Sequence, residues 1–320
     1  MLKNWFWQKK FNKLLCGCLI ATLLSSDISQ QKNDILALNY SQFVMAKINQ
    51  IGSNITVKIW DDKFIGSGTI IKKQNNTYEV ITNSHVIRIG DAPYRVQTPD
   101  GKFYQVKVIA ITTKKSWDLA FLTFSSEQNY KTASIGNSEL LTVGDYVFAA
   151  GFPGNNNTSE SVRQNNFNEE QIANKLTGLS FTVGRVSLVL DKSLTAGYQI
   201  GSTNEIKKGM SGGPLLNEQG QLIGINGKHA YPLWEAPEFY EDGSQTCLPI
   251  QELIYKNSWA IPIEKVGTFY QEINLIPPDV SKKQSDFSLS LISLENNKVN
   301  PSELIKEMQT TAKTVINCSD

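Results

Sequence analysis

From Asn54 onward the chain is written in short apolar–polar alternations separated by turn residues, and this texture restricts the fold more than any other feature. Ile55-Thr56-Val57-Lys58-Ile59-Trp60 alternates with period two, the spacing that turns one face of a strand toward a core. Asn75-Asn76 joins Thr69–Ile71 to Tyr78–Ile81, and Asp100-Gly101 joins Tyr94–Gln97 to Tyr104–Ile111. Asn217-Glu218-Gln219-Gly220 joins Pro214–Leu216 to Gln221–Ile225. Tight turns of this kind connect antiparallel neighbours, whereas parallel strands need long crossovers. The expected class is therefore all-β, a barrel or a sandwich. A length of 320 residues suffices for one large domain or two lobes with cores, and 40% apolar with 19% charged residues is ordinary globular composition.

The ends differ from this middle. Residues 1–26 carry Lys3, Lys9, Lys10 and Lys13, no acid, and the apolar run Leu14 to Leu24. That reads as a signal peptide, too short to span a bilayer alone, so membrane contact is expected only in transit. The product would be secreted or periplasmic. Leu15-Cys16-Gly17-Cys18 partly matches a lipoprotein box, and an uncleaved anchor is the other alternative. Removing those four lysines from 31 basic residues leaves 27 against 30 acidic ones, and without a basic block nucleic acid is not an expected partner. Cys247 and Cys318 would remain after export, either bridged across about 70 residues or as two free thiols.

Ile35 to Ile48 has helical spacing and leads into the first strand. The polar stretch 155–175 reads as a surface insertion with a short helix near Glu169–Lys175. Residues 27–275 form the expected main domain, ending in a helix over Ile263–Ile273. Pro277-Pro278 opens a C-terminal extension, 276–320. Within it Asn300-Pro301-Ser302-Glu303 caps a helix near 301–317.

Three stretches, in chain order, supply a histidine, an aspartate and a serine. They are Ile81-Thr82-Asn83-Ser84-His85-Val86, Ser116-Trp117-Asp118-Leu119-Ala120 and Gly209-Met210-Ser211-Gly212-Gly213-Pro214. A hydroxyl is a weak nucleophile unless a base takes its proton and donors hold the oxyanion that forms. The base has two candidates only, His85 and His229, and His229 sits in a loop after a hairpin. Asp118 enters the apolar run Leu119-Ala120-Phe121-Leu122, where a carboxylate is costly to bury without a partner.

On these residues the chain resembles the trypsin-like serine proteases, closer to the bacterial HtrA/Deg branch than to the digestive enzymes. Gly66-Ser67-Gly68-Thr69-Ile70, Val143-Gly144-Asp145, Ala150-Gly151-Phe152-Pro153, Gly184-Arg185-Val186-Ser187, Gly224-Ile225-Asn226 and Trp259-Ala260-Ile261-Pro262 match in the same order. The resemblance runs from about Ser41 to Glu272. It implies two antiparallel six-stranded β-barrels followed by the helical tail, with the active site in the cleft. It also implies an endopeptidase acting on peptides or proteins through an acyl-enzyme, with no metal or organic cofactor. His85 would be the general base, Asp118 its orienting carboxylate and Ser211 the nucleophile, with the N–H groups of Gly209 and Ser211 as the oxyanion hole. The tail is too short for the PDZ module found in many HtrA-type proteins.

Two positions compared with the digestive pattern carry consequences. Met210 stands where an aspartate would pair with a freshly cut N-terminus, so activity without zymogen cleavage is expected. Glu205 lies six residues before Ser211, the place of a specificity-pocket acid. It favours basic side chains if it points inward, and does nothing if Ile206, Lys207 and Lys208 turn it to solvent. Gly209-Met210-Ser211-Gly212-Gly213 also fits an α/β-hydrolase elbow, but that fold needs its acid and histidine after the serine, and no aspartate lies between Ser211 and His229. The functional alternative is a catalytically idle module of the same fold that binds peptides or a protein partner.

Overall fold

The computed structural model describes residues 42–112, 117–154, 178–230 and 239–273. The expected export segment, the 155–175 insertion, the tail helix and Cys318 lie outside the described residues. From Lys47 the described chain belongs to one compact unit holding two β-systems.

Residues 42–55 form a helix, α1. It continues past the expected end at Ile48, because Gly52 does not break it but lets it lie close to the sheet. A β-carbon at Gly52 would stand 3.2 Å from that of Ala150. The first β-system then runs β1 (Thr56–Trp60), β2 (Phe64–Gln74), β3 (Thr77–Thr82), a short helix α2 (Ser84–Arg88), β4 (Arg95–Gln97), β5 (Phe103–Gln105), β6 (Lys107–Ile111) and β7 (Ala120–Ser125). Its order is β5-β4-β1-β2-β3-β7-β6. The run expected as one strand over Tyr104–Ile111 is divided at Val106, whose N–H donates to the Tyr94 carbonyl at 3.0 Å. One half pairs with β4 at one edge and the other with β7 at the opposite edge. Counted as one bent strand, 103–111 links both edges and brings the strands of this system to six. Val57, Ile59, Ile70, Tyr78, Val80, Leu122 and Phe124 fill its interior.

The second system is a closed six-stranded barrel in the order β10-β13-β12-β11-β8-β9. Its strands are β8 (Tyr146–Gly151), β9 (Ser180–Val189), β10 (Ile200–Ser202), β11 (Pro214–Leu216), β12 (Leu222–Lys228) and β13 (Ser258–Pro262). Val147, Ala149, Val186, Ile200, Met210, Leu215, Ile223 and Ala260 form its core. The mostly β architecture is the expected one.

Two helices complete the described chain. α3 (Leu248–Lys256) was not foreseen; Pro249 in its first turn is pre-set for helix, and it buries Ile250 and Ile254. α4 (Ile263–Glu272) matches expectation and crosses back onto the first lobe. There Phe121 packs against Phe269 at 4.9 Å and Tyr270 at 4.5 Å between ring centres, and the Tyr270 hydroxyl donates to buried Glu79. Large buried rings of this kind each stabilise by about 2 kcal/mol through apolar burial, and here they clamp the lobes. Cys247 is disulfide-bonded, with its partner outside the described residues.

Candidate active site

β3 ends at Thr82, and α2 begins immediately with Ser84 and His85. Val86, the next residue, packs into the space over Gly66 of β2, where an added β-carbon would come within 2.7 Å of it. The helix is thereby seated on the barrel and its histidine fixed at the rim. Asp118 precedes β7, which pairs with β3, so neighbouring strands deliver both residues to one end of the sheet.

They meet directly. His85 Nδ1 lies 2.5 Å from Asp118 Oδ2. The Tyr198 hydroxyl donates to the same oxygen at 2.6 Å. Asp118 Oδ1 accepts from the Ser84 hydroxyl at 2.7 Å and from the His85 backbone N–H at 2.8 Å. The Asp118 backbone is also tied, its carbonyl accepting from Asn83 Nδ2 at 2.9 Å and its N–H donating to the Ala196 carbonyl at 2.8 Å. Burial pushes the Asp118 pKa up, but the His85 contact and the Tyr198 and Ser84 hydroxyls outweigh it and bring it down to about 2. Asp118 is therefore ionised at neutral pH although only 8% exposed. With Nδ1 engaged, Nε2 is the ring nitrogen left for proton exchange, and the His85 side chain is 40% open to solvent.

Ser211 comes from the second barrel, on the turn before β11. Glycines give this turn its shape. Gly209 has φ +94, and a β-carbon there would lie 2.6 Å from Gly154 N and 2.7 Å from the Phe152 carbonyl. Gly212 has φ +87, and its β-carbon would overlap Ser67 O at 2.1 Å. Side chains are excluded at both positions. Ser67 of β2 then docks the turn onto the first lobe. Its N–H donates to the Ser211 carbonyl at 2.9 Å, and its hydroxyl donates to the Gly209 carbonyl at 2.8 Å while accepting from Phe152 N–H at 2.9 Å. Thr69 adds a hydroxyl bond to the Gly212 carbonyl at 3.0 Å.

The Ser211 hydroxyl donates to the Gly227 carbonyl at 3.2 Å. Gly227 in turn abuts Tyr198, the residue bonded to Asp118. His85 and Asp118 are thus in contact, and Ser211 joins them through Gly227 and Tyr198. The two peptide planes before Gly209 and Ser211 are also fixed. The Lys208 carbonyl accepts from Gly154 N–H at 2.8 Å and the Met210 carbonyl from Gly213 N–H at 3.0 Å. In a trans peptide the N–H points opposite to the carbonyl, so the Gly209 and Ser211 N–H groups face away from these bonds.

Glu205 is 73% exposed in its side chain and pairs with Lys207 at 3.1 Å, the outward arrangement. His229 is exposed. Met210 is fully buried in the second-barrel core. Sequence reasoning gave no role to Ser67, Ser84 or Tyr198. Ser67 and Ser84 lie inside quoted motifs, whereas nothing in Thr195-Ala196-Gly197-Tyr198 marks the tyrosine.

A closed antiparallel barrel with a second β-system, an Asp–His contact and a glycine-framed serine are the features of the trypsin-like class. Residues 66–225 match the family described as trypsin-like peptidase domain, and the chain belongs to that family. Among individual proteins it is similar to the serine protease Do-like HtrA of Bacillus subtilis (strain 168), 33% identical over 50% of this chain and 32% of that protein. Do-like HtrB of the same organism is 27% identical over 77% of this chain and 49% of its own length. A probable periplasmic serine endoprotease DegP-like of Buchnera aphidicola subsp. Schizaphis graminum is 31% identical over 54% of this chain and 32% of that protein. The chain thus spans a third to a half of these relatives.

Proposed function

We propose that this protein is a serine endopeptidase that works outside the cytoplasm. Ser211 Oγ attacks the carbonyl carbon of a peptide bond while its proton passes to His85 Nε2. The oxyanion is received by the N–H groups of Gly209 and Ser211. His85 returns the proton to the leaving nitrogen as the C–N bond breaks, leaving an ester on Ser211. Water then attacks that ester by the same proton exchange and releases the acid. Asp118 stays ionised throughout, holding the imidazole and stabilising its charged form.

The observation that carries this reading is the His85–Asp118 contact, with every oxygen of the carboxylate held by donors and its pKa lowered to about 2. Such a carboxylate orients a base and does not take the proton itself. The orientation of the Gly209 and Ser211 N–H groups supports the oxyanion assignment, and among the described residues neither has an acceptor. Each such donor is worth ~100- to 1,000-fold in rate. Three features support export: the basic-then-apolar N-terminal run, the relative described as periplasmic, and the disulfide at Cys247. Exposed Glu205, paired with Lys207, supplies no buried charge for a substrate cation, so no preference for basic residues is proposed from it.

Labelling by a fluorophosphonate probe tests the assignment. Wild type should label, and Ser211→Ala and His85→Ala should not, with peptide turnover falling about a million-fold in the former. A folded wild type that neither labels nor cleaves would instead support a peptide-binding module.

A further inference from the structure

We propose that Tyr198 is a positioning residue for the reaction, delivered by the second lobe to lock the first lobe's carboxylate. The inference rests on the catalytic reading of His85, Asp118 and Ser211. The Asp118 carboxylate accepts four bonds, two on each oxygen. Three come from α2, which sits beside it in the same lobe. The fourth, from the Tyr198 hydroxyl, is the one that crosses the cleft.

Three further observations point to the same device. Tyr198 is 4% exposed, so its hydroxyl is shielded from competing water. A β-carbon at Gly227 would stand 2.2 Å from that hydroxyl, and the backbone at Gly227 is not in the left-handed region that favours glycine. Glycine at 227 therefore makes room for the tyrosine. Lastly, the strap carrying Tyr198 is shaped around Asp118. Ala196 adopts φ +67, ψ 9, which residues with a side chain rarely do, and its carbonyl accepts from the Asp118 N–H. Leu194 N–H to Tyr198 O at 2.8 Å and Gly197 N–H to Leu194 O at 3.0 Å close the strap.

The chemistry follows from which oxygen is bound. Tyr198 donates to Oδ2, the oxygen facing His85 Nδ1 across a short contact. A phenol donor there lowers the basicity of Oδ2, so the proton stays on Nδ1 when the ring becomes imidazolium. It also fixes the carboxylate plane from the side α2 cannot reach. The groups facing this carboxylate are His85, Ser84 and Tyr198. Besides Asp118, the Lys228 ammonium lies 5.9 Å from the centre of the tyrosine ring.

Tyr198→Phe keeps the ring and removes the donor. We expect kcat to fall roughly tenfold, the scale of a weaker hydrogen bond to a charged group, with KM within about twofold because the residue does not face substrate. A more basic Oδ2 holds the imidazolium more tightly, so the acid limb of the kcat/KM profile should move up by about 0.5 pH. A residue that only packed would lower the melting temperature and leave that limb in place. Unchanged kcat and limb in Tyr198→Phe would overturn the proposal. A second arm covers a misfolded variant. In Tyr198→Ala the freed space admits a hydroxyl from Gly227→Ser, so the double variant should exceed Tyr198→Ala in kcat, and equality would count against the role. Ser211→Ala and His85→Ala accompany both arms: activity surviving in those two would refute the catalytic reading itself.

Discussion

Ser67→Ala should damage this site from outside the proposed triad. Ser67 is fully buried, and its hydroxyl serves two backbone groups at once, the Gly209 carbonyl at 2.8 Å and the Phe152 N–H at 2.9 Å. Alanine keeps the backbone bond to Ser211 but strands both. A buried polar group without a partner costs about 1–3 kcal/mol, so two of them near the lower bound give a loss of about 2–3 kcal/mol. For a domain of this size each kcal/mol lowers Tm by roughly 2–4 °C, which predicts a drop of about 4–12 °C. Thr69→Val is the control, because its hydroxyl serves only the Gly212 carbonyl and the β-branched shape is kept. It should lose about 1 kcal/mol. The rate should follow the same order. With the Gly209 carbonyl released, the turn carrying the proposed oxyanion donors should loosen, and the fluorophosphonate labelling rate should fall by at least ~10-fold in Ser67→Ala, within the effect of losing one donor. Urea melts and labelling time courses read both quantities. If Ser67→Ala is no less stable than Thr69→Val and labels at the wild-type rate, Ser67 does not hold the turn.

The Asp118 carboxyl sits at about 2 against an ordinary 3.8. The unfolded chain therefore binds the extra proton, so this group's stabilisation, about 2 kcal/mol, is present above pH 4 and lost as pH falls toward 2. The stability gap between wild type and Asp118→Asn in urea should be smaller at pH 3 than at pH 7; a constant gap would contradict the assignment. Met210→Asp places a carboxylate in the core of the second barrel without a partner, at a cost of about 3–5 kcal/mol, and should abolish soluble folded protein. A soluble variant activated by proteolysis would show that this position still accepts a zymogen-type ion pair. Glu205→Gln removes an exposed charge and should leave a peptide-library cleavage profile unchanged within about twofold, the scale of surface ion pairs.

The lobes were legible where local rules are strong. A period-two run marked β1, turn signals bounded β3 and β12, and the turn at Asn75, with φ 53, is where Asn-Asn placed it. The break at Val106 was not, because it is imposed by the need to pair with β4 and β7 at once, a tertiary demand without a local signature. The helix α3 was missed because its first turn is set by Pro249 and its apolar face is short. At the site, the three side chains proposed to react stood out because such chemistry needs particular residue types. Ser67 and Tyr198 did not, since their hydroxyls acquire meaning only when a residue more than 50 positions away is folded against them.

Those two residues make an exchange between lobes. The first lobe contributes Ser67 to shape the turn around Ser211, and the second contributes Tyr198 and the Ala196 carbonyl to hold Asp118. Neither half of the site is complete in its own lobe, so docking the lobes and assembling the chemistry should be one event. The clamp of Phe121 between Phe269 and Tyr270 makes docking cooperative with folding of both cores. In a urea titration, loss of fluorophosphonate labelling should then share its midpoint with loss of near-ultraviolet circular dichroism, as a two-state transition requires. Labelling lost at clearly lower urea, with the cores still intact, would mean the site opens independently and the cross-lobe bonds do not bind it to the global fold.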